Sequence, residues 1–328
     1  MSAARPGPLQ RAISLVARNV VLPLVDVAIR RSPAALREYV FREAALDLGV
    51  STITCGGELG TFEGDARDRV VHAAYVSTRT WAPEFQTLVR ERVFAAGGGT
   101  LVDVGANIGL TCIPIAVARG VTCYGFEPDP TNFRLLTRNI AANDAGARVT
   151  AFNLALMDQD GSFDFERSGD NMGDHRIRVS AGNGGGAGRG GAPERAGAYG
   201  EQARTVVKVE ARRLDAVLAG RPMPGPVLLK VDVQGAEVRV LQGATAILPA
   251  VDLLFIEYWP YGLARMGDTA AALLEVVSGF AYGCVMAPTG APPFEPIAEL
   301  LARVRRDIPM DGSRVDHLDL LLSRRATL

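Results

Sequence analysis

No segment constrains this chain more than Leu101–Glu127, LVDVGANIGLTCIPIAVARGVTCYGFE. An apolar run, Leu101 to Val104, breaks into a glycine turn, Gly105-Ala106-Asn107-Ile108-Gly109, and a helical segment follows. A second apolar run, Val121 to Phe126, then stops on Glu127. Strand, glycine turn, helix, strand and acid is the order of a nucleotide-binding βαβ unit. The glycines let the backbone turn sharply and approach a ligand where a Cβ would clash. The helix start presents unpaired N–H groups and partial positive charge. An acid at the tip of the second strand accepts hydrogen bonds from a ribose diol. Glu127 follows Gly109 at close to the roughly 20 residues typical of that acid.

The glycine pattern separates two ligands. A dinucleotide fingerprint reads G-x-G-x-x-G, because a pyrophosphate needs bare backbone around it. Here the turn is D-x-G-x-N-x-G, with Asp103 before it and Asn107 inside it. An acid in that position repels a pyrophosphate and suits a ligand with an ammonium group and no phosphate. S-adenosylmethionine is such a ligand.

Composition limits the partners. The 328 residues carry a formal net charge of −1, so whole-chain electrostatics makes no case for nucleic acid. With 48% hydrophobic and 22% charged residues a sizeable core is available. Four scattered cysteines form no C-x-x-C pair, which argues against zinc and for a reducing, cytoplasmic setting. No run of about 18 apolar residues predicts a transmembrane helix. Residues 10–31 have a helical apolar stripe, Ile13, Val16 and Val20. Peripheral contact with a membrane or partner and docking on the domain are both open for that segment.

Taken in order, residues 1–95 predict a mainly helical extension ahead of a domain over 96–328. Ser32-Pro33 is a cap-and-N1 helix start, residues 50–63 suggest a small hairpin, and Ala82 to Phe94 a helix stopped by Gly97-Gly98-Gly99. Strands and helices then alternate, which predicts an α/β, doubly wound sheet with helices on both faces. Residues 180–200 are glycine-rich and aperiodic, a surface insert. Glu127, Asp158, Asp232 and Glu257 fall at or just after predicted strand ends, where such sheets bind ligands.

The segments VDVGANIG, FEPDPTNFRLLTRNIAAND, ALMDQDG, LLKVDVQGAE and VLQGA, in this order, resemble the FkbM family of class I S-adenosylmethionine-dependent methyltransferases. The likeness spans roughly residues 98–260. It implies a Rossmann-like, mostly parallel seven-stranded sheet with one antiparallel strand near its edge. It also implies that Asp103, Gly105, Asn107 and Gly109 line the methionine part of the cofactor, that Glu127 holds the ribose and that Asp158 faces the adenine. The activity implied is O-methylation of a hydroxyl on a sugar, glycan or secondary metabolite. The first hundred residues and the insert lie outside the likeness.

Methyl transfer to a hydroxyl is an in-line displacement in which the acceptor must also lose a proton. Asp232 is the first candidate base, with Lys230 two residues earlier on the same strand face. For that pair a structural ion pair is the competing role. His175, in the polar run Asn171 to Arg176, is the second candidate. Glu257, Tyr258 and Trp259 are candidates for the acceptor wall. Asp232 with Glu257 could hold Mg2+, a point the sequence leaves open. An N-methyltransferase, an NAD-dependent oxidoreductase on the same fold, and a non-catalytic cofactor-binding scaffold are the rival functions.

Overall fold

The computed structural model describes residues 34–178, 204–287, 293–313 and 315–327. Residues 10–31 and the glycine-rich insert lie outside the described residues. Helix α1 (Ala34–Asp47) leads into a hairpin of β1 (Thr52–Gly57) and β2 (Gly60–Asp65). Arg42 of α1 is fully buried and donates to the carbonyls of Asp65 (3.0 Å) and Ala66 (3.1 Å), which ties the helix to the hairpin. Helix α2 (Val71–Thr78) and helix α3 (Pro83–Leu88), which runs on into a π turn at Val89–Val93, complete the approach. The expected helix over Ala82 to Phe94 is thus formed with a wider last turn.

Alternation begins at β3 (Thr100–Val104), followed by α4 (Cys112–Arg119), β4 (Thr122–Phe126), α5 (Pro130–Ala142) and β5 (Val149–Phe152). Asp129 caps α5, its carboxylate accepting from the Thr131 and Asn132 N–H groups at 2.9 Å each, with Pro130 in the first turn where its missing N–H costs nothing. A side sheet follows, made of β6 (Ala155–Leu156), β7 (Gly161–Arg167), β8 (Arg176–Ile177) and β9 (Thr205–Arg212) in the order β6-β9-β7-β8. β7 and β9 pair as an antiparallel ladder. Next come α6 (Leu214–Leu218), β10 (Val227–Val231), α7 (Glu237–Gln242), β11 (Leu253–Tyr258), α8 (Pro260–Arg265) and α9 (Ala270–Val277). The chain ends with β12 (Tyr282–Val285), the short β13 (Glu295–Pro296), α10 (Ile297–Asp307) and β14 (Leu318–Ser323).

The main sheet has eight strands in the order β13-β12-β14-β11-β10-β3-β4-β5. β11, β10, β3, β4 and β5 are mutually parallel, while β14 runs antiparallel to both β11 and β12. Without the two-residue β13, this is the expected seven-stranded sheet with one reversed strand near its edge. Alternate strand residues feed opposite layers. Val102, Tyr124, Leu229 and Leu254 pack in a cluster that includes α7, α9 and α10 residues. Leu101, Cys123, Leu228 and Phe255 pack in a second cluster with α4, α5 and the hairpin. Asparagines of α5 hold that hairpin in place. Asn139 Oδ1 accepts from the Glu63 N–H (2.7 Å), Asn143 Oδ1 accepts from the Thr61 N–H (2.9 Å), and Asn139 Nδ2 donates to the Ile108 carbonyl in the glycine turn (2.9 Å). Among the described residues no helix is long and apolar enough to cross a membrane.

Candidate active site

The turn after β3 uses the left-handed conformations its glycines allow. Gly105 has φ +85°, and a Cβ there would lie 2.0 Å from the Asp232 carbonyl oxygen, so only glycine lets the β3 and β10 tips approach this closely. Asn107 takes φ +51°, a conformation asparagine tolerates better than most side chains. The Gly105 and Ala106 N–H groups both donate to the Phe126 carbonyl, at 3.0 and 2.9 Å, which clamps the turn against the end of β4.

Glu127 sits where β4 ends. Its Oε2 accepts from the Asn107 N–H (2.9 Å) and its Oε1 from the Asp129 N–H (2.8 Å). It is almost wholly buried yet lines the cleft, and burial pushes its carboxyl up to about 8, helped by the neighbouring Asp129. The acid is therefore oriented by the same turn it follows.

Across two strands lies the second cluster. Lys230 Nζ is 3.1 Å from Asp103 Oδ1, 3.5 Å from Asp232 Oδ2 and 3.4 Å from the Gly105 carbonyl. Burial alone would lower this ammonium, but the two carboxylates outweigh it and hold the group above its ordinary range. Asp103 is fully buried and lies behind the lysine, whereas Asp232 is 42% exposed and faces the cleft. The Gln234 side-chain amide donates to Asp232 Oδ1 (3.0 Å). Glu237 does not reach Lys230 but accepts from the Gly235 N–H (3.1 Å) and the Val233 N–H (3.3 Å), bracing the β10–α7 turn.

The third group comes from strands far apart in sequence. Glu257 in β11 is paired in register with Asp319 in β14, and Asp232 follows Val231, which pairs with Ile256. Side chains directly opposite across strands share a face, so Asp232, Glu257 and Asp319 form one row at the cleft floor. Burial, then repulsion from Asp232, raises both the Glu257 and the Asp319 carboxyls. His317 Nε2 stands 3.9 Å from Glu257 Oε1.

These walls enclose a cleft of about 810 Å³. Gly105, Asn107, Glu127, His175, Lys230, Asp232 and Glu257 line it. Asp103, Gly109, Asp158, Tyr258 and Trp259 do not. Gly109 (φ +91°) packs on Ile113 and Leu136, shaping the helix entry. Asp158 turns away to Arg239 (3.2 Å), an arginine that also bridges to Asp268 (2.7 Å). Ala155 and Leu156, just before it, line the cleft instead. Tyr258 and Trp259 point into the core, and the Trp259 indole donates to the Val315 carbonyl (3.1 Å).

His175 is neither loose nor exposed. The Ser168 N–H donates to its Nδ1 (3.1 Å), and burial lowers the ring to about 4. The ring is thus a neutral imidazole with its proton on Nε2, a buried atom without a partner. Its loop is anchored by the Met172 carbonyl, which accepts from the side chains of Asn107 (2.9 Å) and Asn132 (3.1 Å). Sequence reasoning missed the upper wall, Trp81 and Phe85, and the late contributors Met286, His317 and Asp319. Their only local signal is the aromatic pair flanking the Pro83 helix start. Among the described residues no group of three or more His, Cys, Asp or Glu side chains is placed to hold a metal ion.

A mostly parallel sheet with one reversed strand near its edge, a glycine turn after β3 and an acid at the tip of β4 define a class I methyltransferase fold. The chain belongs to the FkbM methyltransferase family, whose domain model matches residues 103–276, more than half of the chain. It is 27% identical over 158 residues to the hexuronic acid methyltransferase AglP of Haloferax volcanii, covering 48% of this chain and 54% of that protein. The chain thus spans about half the length of this curated relative. Among solved structures, an FkbM methyltransferase from Methylobacillus flagellatus KT is 17% identical, covering 77% of this chain and 53% of that one, with a TM-score of 0.35. An O-methyltransferase family protein from Burkholderia thailandensis is 14% identical over 80% of this chain and 60% of that one, with a TM-score of 0.38.

Proposed function

We propose that this chain transfers the methyl group of S-adenosylmethionine to a hydroxyl of a sugar, glycan or other small molecule. The observation that carries this is Glu127, buried at the tip of β4, fixed by the Asn107 and Asp129 N–H groups, and facing the same cleft as Asp232. The donor set fits the cofactor. Acids predominate around the turn, and the ammonium of Lys230 is directed at Asp103, Asp232 and the Gly105 carbonyl rather than at a phosphate position. This disfavours NAD and favours a ligand carrying a sulfonium and an ammonium.

In this reading Glu127 holds the ribose hydroxyls, the Gly105–Asn107 backbone cradles the amino-acid portion, and Leu156 packs against the base. β4 and β10 are two strand spacings apart, about 10 Å, so a nucleoside on Glu127 directs its 5′ substituent toward Asp232. The cofactor supplies an electrophilic methyl on a positively charged sulfur. The protein's part is to align the acceptor oxygen about 3 Å from that carbon and to take its proton. We assign the proton to Asp232, exposed to the cleft and oriented by Lys230 and Gln234. His175 has its Nδ1 lone pair occupied and its proton on Nε2, so it acts as a hydrogen-bond donor, not as the base. The hexuronic acid specificity in the name of the Haloferax relative supports trying sugars first.

Calorimetric titration with S-adenosylmethionine, S-adenosylhomocysteine and NAD tests the reading. Binding of the two sulfur compounds alone, lost in Glu127→Ala, is expected. Binding of NAD, or of none of the three by folded protein, would overturn it. Cofactor binding without turnover on any acceptor, unaffected by Asp232→Asn, would point to a scaffold.

A further inference from the structure

Acids line the acceptor half of the cleft as well as the turn. Beyond Lys230 the floor is the carboxyl row Asp232, Glu257 and Asp319, with Glu84 on the wall above. Among the described residues Lys230 is the only lysine or arginine lining the cleft, and it is already shared between two carboxylates and a carbonyl. His317 is 56% exposed and stands 3.9 Å from Glu257 Oε1, at the rim of this row. Burial, then repulsion from Asp232, holds the Glu257 and Asp319 carboxyls above the ordinary carboxylate range, so this floor resists a further negative charge.

Among the cleft-lining residues three buried atoms lack hydrogen-bond partners, Asn132 Oδ1, His175 Nε2 and Glu257 Oε2, and the last belongs to the carboxyl row. His175 Nε2 is a donor and Glu257 Oε2 an acceptor when ionised, and buried polar atoms are normally satisfied. A hydroxyl both donates and accepts, so a polyol can serve both kinds of atom. A carboxylate or phosphate only accepts and meets the carboxyl row with like charge. Trp81, Phe85 and Met286 supply the apolar wall on which the C–H face of a sugar ring can lie.

We propose that the acceptor half of this cleft selects against anions and takes an uncharged or amino-bearing sugar or polyol. This rests on the methyl-transfer reading above. It makes Glu257 and Asp319 specificity-determining residues, distinct from Asp232, which takes the proton.

The test uses the full chain saturated with S-adenosylhomocysteine, whose binding is measured first. Matched methyl glycosides of glucose, galactose and mannose, each with its 6-carboxylate and its 2-amino counterpart, are titrated by ligand-observed NMR. The same set is then offered with labelled S-adenosylmethionine. Neutral or amino members should bind or react at least about tenfold better than their uronates. Equal or better recognition of the uronates overturns the proposal, and so does failure of every member to bind the loaded protein. Absence of S-adenosylhomocysteine binding would instead sink the cofactor reading. Glu257→Gln with Asp319→Asn, checked for folding by S-adenosylhomocysteine affinity, should narrow the neutral-to-uronate ratio. An unchanged ratio in that folded variant removes these two carboxyls from the proposal.

Discussion

Lys230→Met isolates the ion pair beneath the candidate active site. Asp103 is fully buried, and Lys230 is the cation beside it at 3.1 Å. Asp232, at 42% exposure, can turn toward water when the ammonium is removed, whereas Asp103 cannot. The cost therefore falls on Asp103. Breaking a buried pair by removing one partner costs about 3–5 kcal/mol, because it leaves an uncompensated charge. With an unfolding entropy of roughly 2.1 cal/mol/K per residue, a chain of 328 residues loses about 1.5 °C of Tm per kcal/mol, so the variant should melt about 4–7 °C early. Removing both charges, in Asp103→Asn with Lys230→Met, should recover most of that loss, since neutral groups of similar volume often replace a buried pair at little cost. The sign of the pH effect follows as well. Asp103 without its lysine has a raised folded pKa, so the single variant regains stability as pH falls and loses it as pH rises. Urea unfolding of the four members of the cycle, at two pH values, measures the coupling. A loss below about 1 kcal/mol in Lys230→Met, or strictly additive losses in the double variant, would refute the claim that this pair is a buried, charge-compensating unit.

Glu127→Gln should remove a pH dependence from the cofactor-free protein. The folded carboxyl is pushed up to about 8 from 4.5, so its contribution is present below the unfolded pKa and lost as pH rises to about 8; the Tm difference between variant and wild type should therefore move in the variant's favour over that window. His72 and His175 are lowered to about 4 from 6.5 by burial, which gives the opposite slope: stability is complete above pH 6.5 and falls as pH drops toward 4, and His72→Phe should flatten its share in a Tm–pH series. Gly105→Ala should cost cofactor affinity more than tenfold in calorimetry, because the new Cβ would lie 2.0 Å from the Asp232 carbonyl and force the β3 and β10 tips apart. Asp158→Asn should change S-adenosylmethionine affinity only a few-fold, since its carboxylate is held by Arg239 outside the cleft; a hundredfold loss would show that the acid swings in when the adenine binds.

Much of this molecule was legible in its residues. The glycine turn, the acid ending β4 and the Lys230–Asp232 spacing lie within short stretches, and short stretches obey local rules of backbone freedom and strand alternation. The Asp129-Pro130 cap is local in the same sense. The roles of Lys230 were less separable than the sequence implied, because the lysine faces Asp103 from the neighbouring strand as well as Asp232 from its own. His175 could be placed in a polar loop, but its tautomer depends on the Ser168 N–H, and no spacing rule reveals that donor's direction.

The sequence alone determined the class of fold, the strand that carries the turn and the acid that faces it, because hydrophobic period and turn chemistry are properties of neighbours along the chain. Only the tertiary structure decided which acids meet. Asp319 reaches Glu257 because β14 runs backwards between β11 and β12, which places the start of that strand at the cleft end of the sheet. Asp158 is drawn out of the cleft because Arg239, eighty-one residues later, competes for its carboxylate. Partner choice between side chains is settled by proximity in three dimensions, and a one-dimensional pattern carries no record of that competition.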